Sequence, residues 1–79
     1  MDIRYLPAPD DLNGNFAHVM QECGELIQAI TKFQMYGAQA RDPHTGRHYD
    51  NEAHIIAEMK DLEGAMARLG NTLRMFKQS

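Results

Sequence analysis

The sequence predicts an all-α fold, an antiparallel helical hairpin that oligomerises into a four-helix bundle. Three observations predict it. Apolar residues recur at alternating steps of four and three over two long segments: Leu12, Phe16, Val19, Cys23, Leu26, Ile30 and Phe33, then Ile55, Met59, Leu62, Met66, Leu69, Leu73 and Phe76. That spacing gives each helix one apolar seam. Pro7, Pro9 and Pro43 all stand outside these segments, as helix-breaking residues should. A weaker second stripe of Met20, Ile27, Ala53, Ile56 and Ala57 is left to bury itself against another copy, so that two hairpins make a four-helix bundle.

The 79 residues form one domain. Residues 1–11 read as an irregular arm, because Pro7-Ala8-Pro9 blocks an early helix. A first helix over 12–37 begins near the capping residues Asp11 and Asn13 and stops at Gly37. Residues 38–49 are a loop with Asp42-Pro43 and Thr45-Gly46 as turn signals and no strand-like alternation. A second helix over 50–77 begins at Asp50 or Asn51. The loop lets the two seams meet as an antiparallel hairpin.

Composition narrows the function. Charged residues are 24% and hydrophobic residues 43%, the balance of a globular protein. A core this small is marginal for a lone monomer, so a homodimer or homotetramer is expected. The net charge of -3 argues against a nucleic acid polymer as partner, since such proteins carry a basic stripe. It leaves room for a nucleotide whose phosphates are neutralised by metal. No stretch approaches a membrane span, so no membrane partner is expected. The single cysteine, Cys23, excludes an intrachain disulfide and reads as a small core residue in a reducing cytoplasm.

Four carboxylates carry the chemistry. Glu22 and Glu25 stand three apart and share one helix face, and Glu58 and Asp61 repeat that spacing. Counted from the seams, Glu22 and Glu58 fall at heptad position g, and Glu25 and Asp61 at position c. In an antiparallel pair g faces g, which puts all four on one flank at nearly one level. Four carboxylates beside an apolar seam repel one another and lose water, and a divalent cation relieves both. Oxygen-only ligands favour Mg²⁺, with Mn²⁺ as a substitute. Two alternatives stand beside this reading. One is a non-catalytic helical hairpin that dimerises or binds a partner, its acids merely solvated. The other is a di-iron carboxylate site, although that wants Glu-x-x-His, whereas His18 and His54 come four residues before Glu22 and Glu58.

The run Glu22-Cys23-Gly24-Glu25-Leu26-Ile27-Gln28-Ala29 followed by Thr31-Lys32, the pair in Glu58-Met59-Lys60-Asp61-Leu62, and the intervening Asp42-Pro43-His44-Thr45-Gly46 and Tyr49-Asp50-Asn51 resemble the MazG-like, all-α nucleoside triphosphate pyrophosphohydrolases, in particular small phage-type members. The resemblance covers about residues 12–69. It implies an obligate assembly of helical hairpins that hydrolyses the α–β phosphate bond of a nucleoside triphosphate, with Glu22, Glu25, Glu58 and Asp61 as Mg²⁺ ligands and Lys32 near the phosphates. The sequence departs from the family at Gln21, where many members have Glu, and at Lys60, where a small or neutral residue is usual. Asn71, Arg74 and Lys77 are the candidates to replace a substrate-contacting segment found in many relatives.

On this reading the cation bridges phosphate oxygens and acidifies a water. Glu25 is the candidate catalytic base. Lys32, Arg41 and Arg47 would neutralise the triphosphate. His48 or Tyr49 would meet the base, and Asn51 a sugar or phosphate unless it only caps the second helix. His18 and His54 are expected to hydrogen-bond to the carboxylates rather than to bind the metal directly.

Overall fold

A computed structural model describes residues 8–78. Two helices, α1 (Asp10–Tyr36) and α2 (Asn51–Gln78), are joined by a short antiparallel hairpin of β1 (Gln39–Arg41) and β2 (His48–Asp50). The helices lie side by side in a rod of 61 × 22 × 18 Å. No described helix is long and apolar enough to cross a membrane.

α1 starts two residues earlier than the sequence suggests. Pro9, at φ -55°, leads into it, and its carbonyl accepts the Asn13 amide at 2.9 Å. Proline suits a helix start because its missing N–H is not needed there, and Asp10 and Asp11 in the first turn favour the helix dipole. Most of the expected arm, residues 1–7, lies outside the described residues. At the other end Gly37 stops the helix at φ 84°, a backbone shape that glycine adopts without penalty.

The expected loop is instead partly strand. Ala40 pairs with Tyr49, and Gln39 and Arg41 with Asp50 and His48. Turn chemistry builds it: one Asp42 carboxylate oxygen accepts the amides of His44 and Thr45 at 2.8 and 3.3 Å. Gly46 takes φ 73° and donates to the Asp42 carbonyl. The turn signals were legible, but three-residue strands are too short to display alternation. Asp50 then caps α2 by accepting the Ala53 amide at 2.9 Å. That bond is the main reason its pKa lies below the ordinary 3.8.

The seams do not close as the heptad count suggests. Phe16, Ile30, Met59, Met66, Leu73 and Phe76 all remain exposed. The helices touch along a line turned slightly away from them, through Asn15, Glu22 and Ala29 on α1 and Asn51, Glu58 and Ala65 on α2. Ala29 and Ala65, 0% and 1% exposed, are small enough to let the backbones approach closely at that line. With Leu12 they are the whole fully buried apolar core among the described residues.

Polar bonds fasten the ends. Asn15 Nδ2 donates to Thr72 Oγ1 at 2.7 Å, and the buried Asn51 Nδ2 donates to the Gly37 carbonyl at 2.9 Å. Asn51→Ala should therefore lower the unfolding free energy by about 1–3 kcal/mol, the cost of leaving a part-buried carbonyl without its donor. Urea denaturation at fixed protein concentration checks this.

The rod leaves much of its surface open. Its radius of gyration is 18.1 Å, against about 12 Å for a compact domain of this length. It exposes 6535 Å², where a compact monomer of its mass exposes about 4900 Å².

Candidate metal centre

The slight turn of the helices changes the setting of the carboxylates. Glu22 and Glu58 lie between α1 and α2 rather than out on a flank, with side chains only 10% and 13% exposed. Glu22, Glu58 and Asp61 each bring a carboxylate oxygen to within 4.8 Å of the other two. Glu25, the fourth expected ligand, is outside that trio. It stands beside Glu22, and Gln21 Nε2 donates to its Oε1 at 3.4 Å.

Each inner glutamate has one oxygen occupied and one bare. His18 Nε2 lies 3.3 Å from Glu22 Oε1, and His54 Nε2 lies 3.3 Å from Glu58 Oε1. Oε2 of both glutamates is buried without a hydrogen-bond partner. Buried polar atoms are nearly always paired, and an ionised oxygen left bare is costly. Glu22 and Glu25 could bond to each other only if one of them held a proton. Burial pushes the Glu22 pKa above its ordinary 4.5, with the charges of Glu25 and Asp61 adding to the effect and His18 opposing it.

The sign of that shift is testable. A raised carboxyl pKa means that the folded chain holds the proton over a window extending upward from about pH 4.5, so stability falls as pH rises through it. Asp50 works the other way below pH 3.8, where its capping contribution is lost as pH falls. The urea midpoint of metal-free protein should thus decline from mildly acidic toward neutral pH, and Glu22→Gln should flatten the decline.

His18 is held from its far side as well. Arg68 Nη2 lies 3.3 Å from His18 Nδ1. A guanidinium only donates, so Nδ1 accepts and the ring proton sits on Nε2, facing Glu22. Both ring nitrogens of His18 are thereby engaged with protein groups, which leaves neither for a metal and counts against the di-iron alternative.

The two halves of the centre repeat one another. Asn51, Ala53, His54, Glu58, Leu62 and Ala65 follow Asn15, Ala17, His18, Glu22, Leu26 and Ala29 at one constant offset, which also matches Glu25 with Asp61 and Lys32 with Arg68. The cross-helix bonds Asn15–Thr72 and His18–Arg68 set the antiparallel level. At that level Glu25 faces Asp61, so an approximate two-fold axis runs through the carboxylates.

A groove of about 450 Å³ opens onto the centre, lined by His18, Glu22, Lys60, Asp61, Gly64 and Arg68. Arg68 was not among the residues expected at the site. Its signal was the match to Lys32 across the repeat, because a residue ten positions after the first glutamate of each pair returns to the carboxylate side. Lys32 itself is exposed and does not line the groove.

The other expected substrate residues lie elsewhere. Arg41, His48 and Tyr49 are on the β-hairpin and Arg47 immediately precedes β2, its guanidinium 5.1 Å from the centre of the Tyr49 ring. At 1.5 Å rise per residue the base of the hairpin at Asn51 is roughly 15 Å along the rod from Asp61, and the strands carry these residues farther still. Asn51, 4% exposed, is committed to Gly37 and Ala38.

The donor set suits a hard divalent ion. Three carboxylates offer oxygen only, as Mg²⁺ and Mn²⁺ prefer, and a cation would satisfy the two bare Oε2 atoms. Comparison with protein-family models, with curated proteins and with solved structures gives no match for this chain.

Proposed function

We propose that this protein is a Mg²⁺-dependent nucleoside triphosphate pyrophosphohydrolase of the MazG-like kind, acting in the cytoplasm as a homo-oligomer. The observation that carries the reading is the pair of buried, unpartnered oxygens, Glu22 Oε2 and Glu58 Oε2, beside Asp61. A chain that merely dimerises has no need to bury them.

Glu22, Glu58 and Asp61 would hold the ion, with Mn²⁺ as a substitute. When bound, the ion neutralises phosphate charge and lowers the pKa of water near it. His18 and His54 orient the two inner glutamates through their Oε1 atoms, leaving Oε2 for the ion. Glu25, adjacent to the trio but outside it, is free to accept a proton. A water that gives its proton to Glu25 adds to the α-phosphorus, the bond to the α–β bridging oxygen breaks, and that oxygen leaves with pyrophosphate. The products are a nucleoside monophosphate and pyrophosphate.

Assembly follows from the surface. At about 100° per residue, the exposed Phe16, Met20, Ile27, Ile56, Met59 and Met66 fall on the flank opposite Glu25 and Asp61. A second hairpin laid on that flank completes a four-helix bundle and leaves the carboxylates open to substrate.

The test is incubation of the pure protein with each ribo- and deoxyribonucleoside triphosphate plus Mg²⁺. Pyrophosphate release from at least one of them, lost in Glu58→Gln, supports the reading. No release from any nucleotide, together with no Mg²⁺ uptake by calorimetry, overturns it.

A further inference from the structure

We infer that the polyphosphate lies in the groove between the carboxylates and Arg68, held by Lys60 and Arg68, on the side of the centre away from the β-hairpin tip. This rests on the metal-dependent reading above and adds where the phosphates sit.

Three observations carry it. First, Lys60 and Arg68 share one groove with Glu22 and Asp61, yet among the described residues neither forms an ion pair with a carboxylate, the only such contacts being His18–Glu22 and His54–Glu58. Cations beside acids but not joined to them can serve a second anion. Second, Arg68 is aimed. Its Nη2 donates to His18 Nδ1 at 3.3 Å, which steadies one edge of the guanidinium and leaves further N–H donors for phosphate oxygens.

Third, the two sides of the repeated centre differ in the residues that line them, and the groove lies on the side of Lys60, Gly64 and Arg68. The repeat matches Gly64 with Gln28 and Lys60 with Gly24. On the Arg68 side the bulky member is absent and a cation is present. A Cβ at position 64 would lie 3.6 Å from Arg68 Nη1, an ordinary contact, but a longer side chain would occupy the groove. The arginines that the sequence suggests, Arg41 and Arg47, lie toward the tip, with Arg47 stacked on Tyr49. Within one hairpin the phosphates therefore meet the α2 residues that flank Asp61, Lys60 before it and Arg68 beyond it, rather than the tip.

The experiment measures binding of Mg²⁺ alone, and of inorganic pyrophosphate with and without Mg²⁺, by calorimetry on the full chain. Arg68→Gln and Lys60→Gln should each weaken pyrophosphate binding by about tenfold or more, as expected for a lost charged hydrogen bond, with Mg²⁺ affinity nearly unchanged. Arg68→Lys should recover part of the loss, since charge remains but the planar fork does not. Gly64→Gln, which improves helix propensity, should melt no lower than the parent and yet bind pyrophosphate poorly. Arg41→Gln and Arg47→Gln should bind it normally. Mg²⁺ uptake with pyrophosphate affinity indifferent to Lys60, Gly64 and Arg68 overturns this inference and leaves the metal reading standing. No Mg²⁺ uptake, with pyrophosphate still held through Arg68, sinks the metal reading and supports the anion groove. Loss of pyrophosphate in Arg41→Gln or Arg47→Gln alone places the phosphates at the tip and overturns the inference.

Discussion

Glu58→Gln is expected to abolish Mg²⁺ uptake and pyrophosphate release while raising the melting temperature of the metal-free protein. The two effects have one cause. Glu58 brings a charge and a bare, buried Oε2 into a space it shares with Glu22 and Asp61. Glutamine keeps the shape, removes the charge and ends the repulsion, so the empty fold relaxes. The same change removes one of three ligands. Loss of an outer partner to a metal ligand already costs 10–100-fold in affinity or activity, so loss of a ligand should cost more than about a hundredfold. Calorimetry and thermal melts on one preparation read both effects. A solvated surface glutamate would move neither, and a purely structural one would lower the melting temperature.

The second large effect concerns the opposite face. Ile27→Glu and Ile56→Glu should each convert the proposed assembly to single chains of 9.0 kDa and make the melt broad and concentration-independent. Ile27 is 64% exposed in the lone hairpin and Ile56 48%. If the hairpin were the whole fold, such substitutions would change stability by no more than about 0.5 kcal/mol. Within a bundle each would bury an unpaired carboxylate in an apolar interface, where breaking the contact is the cheaper outcome. What supports the proposed interface is the small core, where among the described residues only Leu12, Ala29 and Ala65 are buried apolar residues. Light scattering coupled to size exclusion, followed by thermal melts at two concentrations, separates the cases.

The sequence carried the main architecture because both helices announce themselves through period and punctuation. Gly37 ends α1 and Asp50 caps α2 for reasons visible in residue type alone. The acidic centre was legible for a similar reason: Glu22 and Glu25, Glu58 and Asp61 repeat one spacing, and an antiparallel fold must bring such pairs level. What escaped depends on quantities that spacing does not hold. Heptad counting puts Glu22 and Glu58 beside the seam, but close packing at Ala29 and Ala65 turns the helices and draws both glutamates between them. That turn also separates Glu25 from the trio. Arg68 became visible only once its bond to His18 placed it on the groove, although its alignment with Lys32 was in the sequence throughout. The strands β1 and β2 escaped because three residues each display no alternation, and their pairing is imposed by the turn around Asp42 and Gly46.

The central claim is that one divalent cation sits between α1 and α2 on Glu22, Glu58 and Asp61. Crystals of the full chain grown with Mn²⁺ and measured at the manganese absorption edge test it most directly. The account predicts an anomalous peak at coordination distance from Glu22 Oε2, Glu58 Oε2 and an Asp61 carboxylate oxygen, absent from Glu58→Gln crystals grown in the same way. A saturating Mn²⁺ soak with no peak among those three carboxylates, or with the peak unchanged in Glu58→Gln, would contradict it.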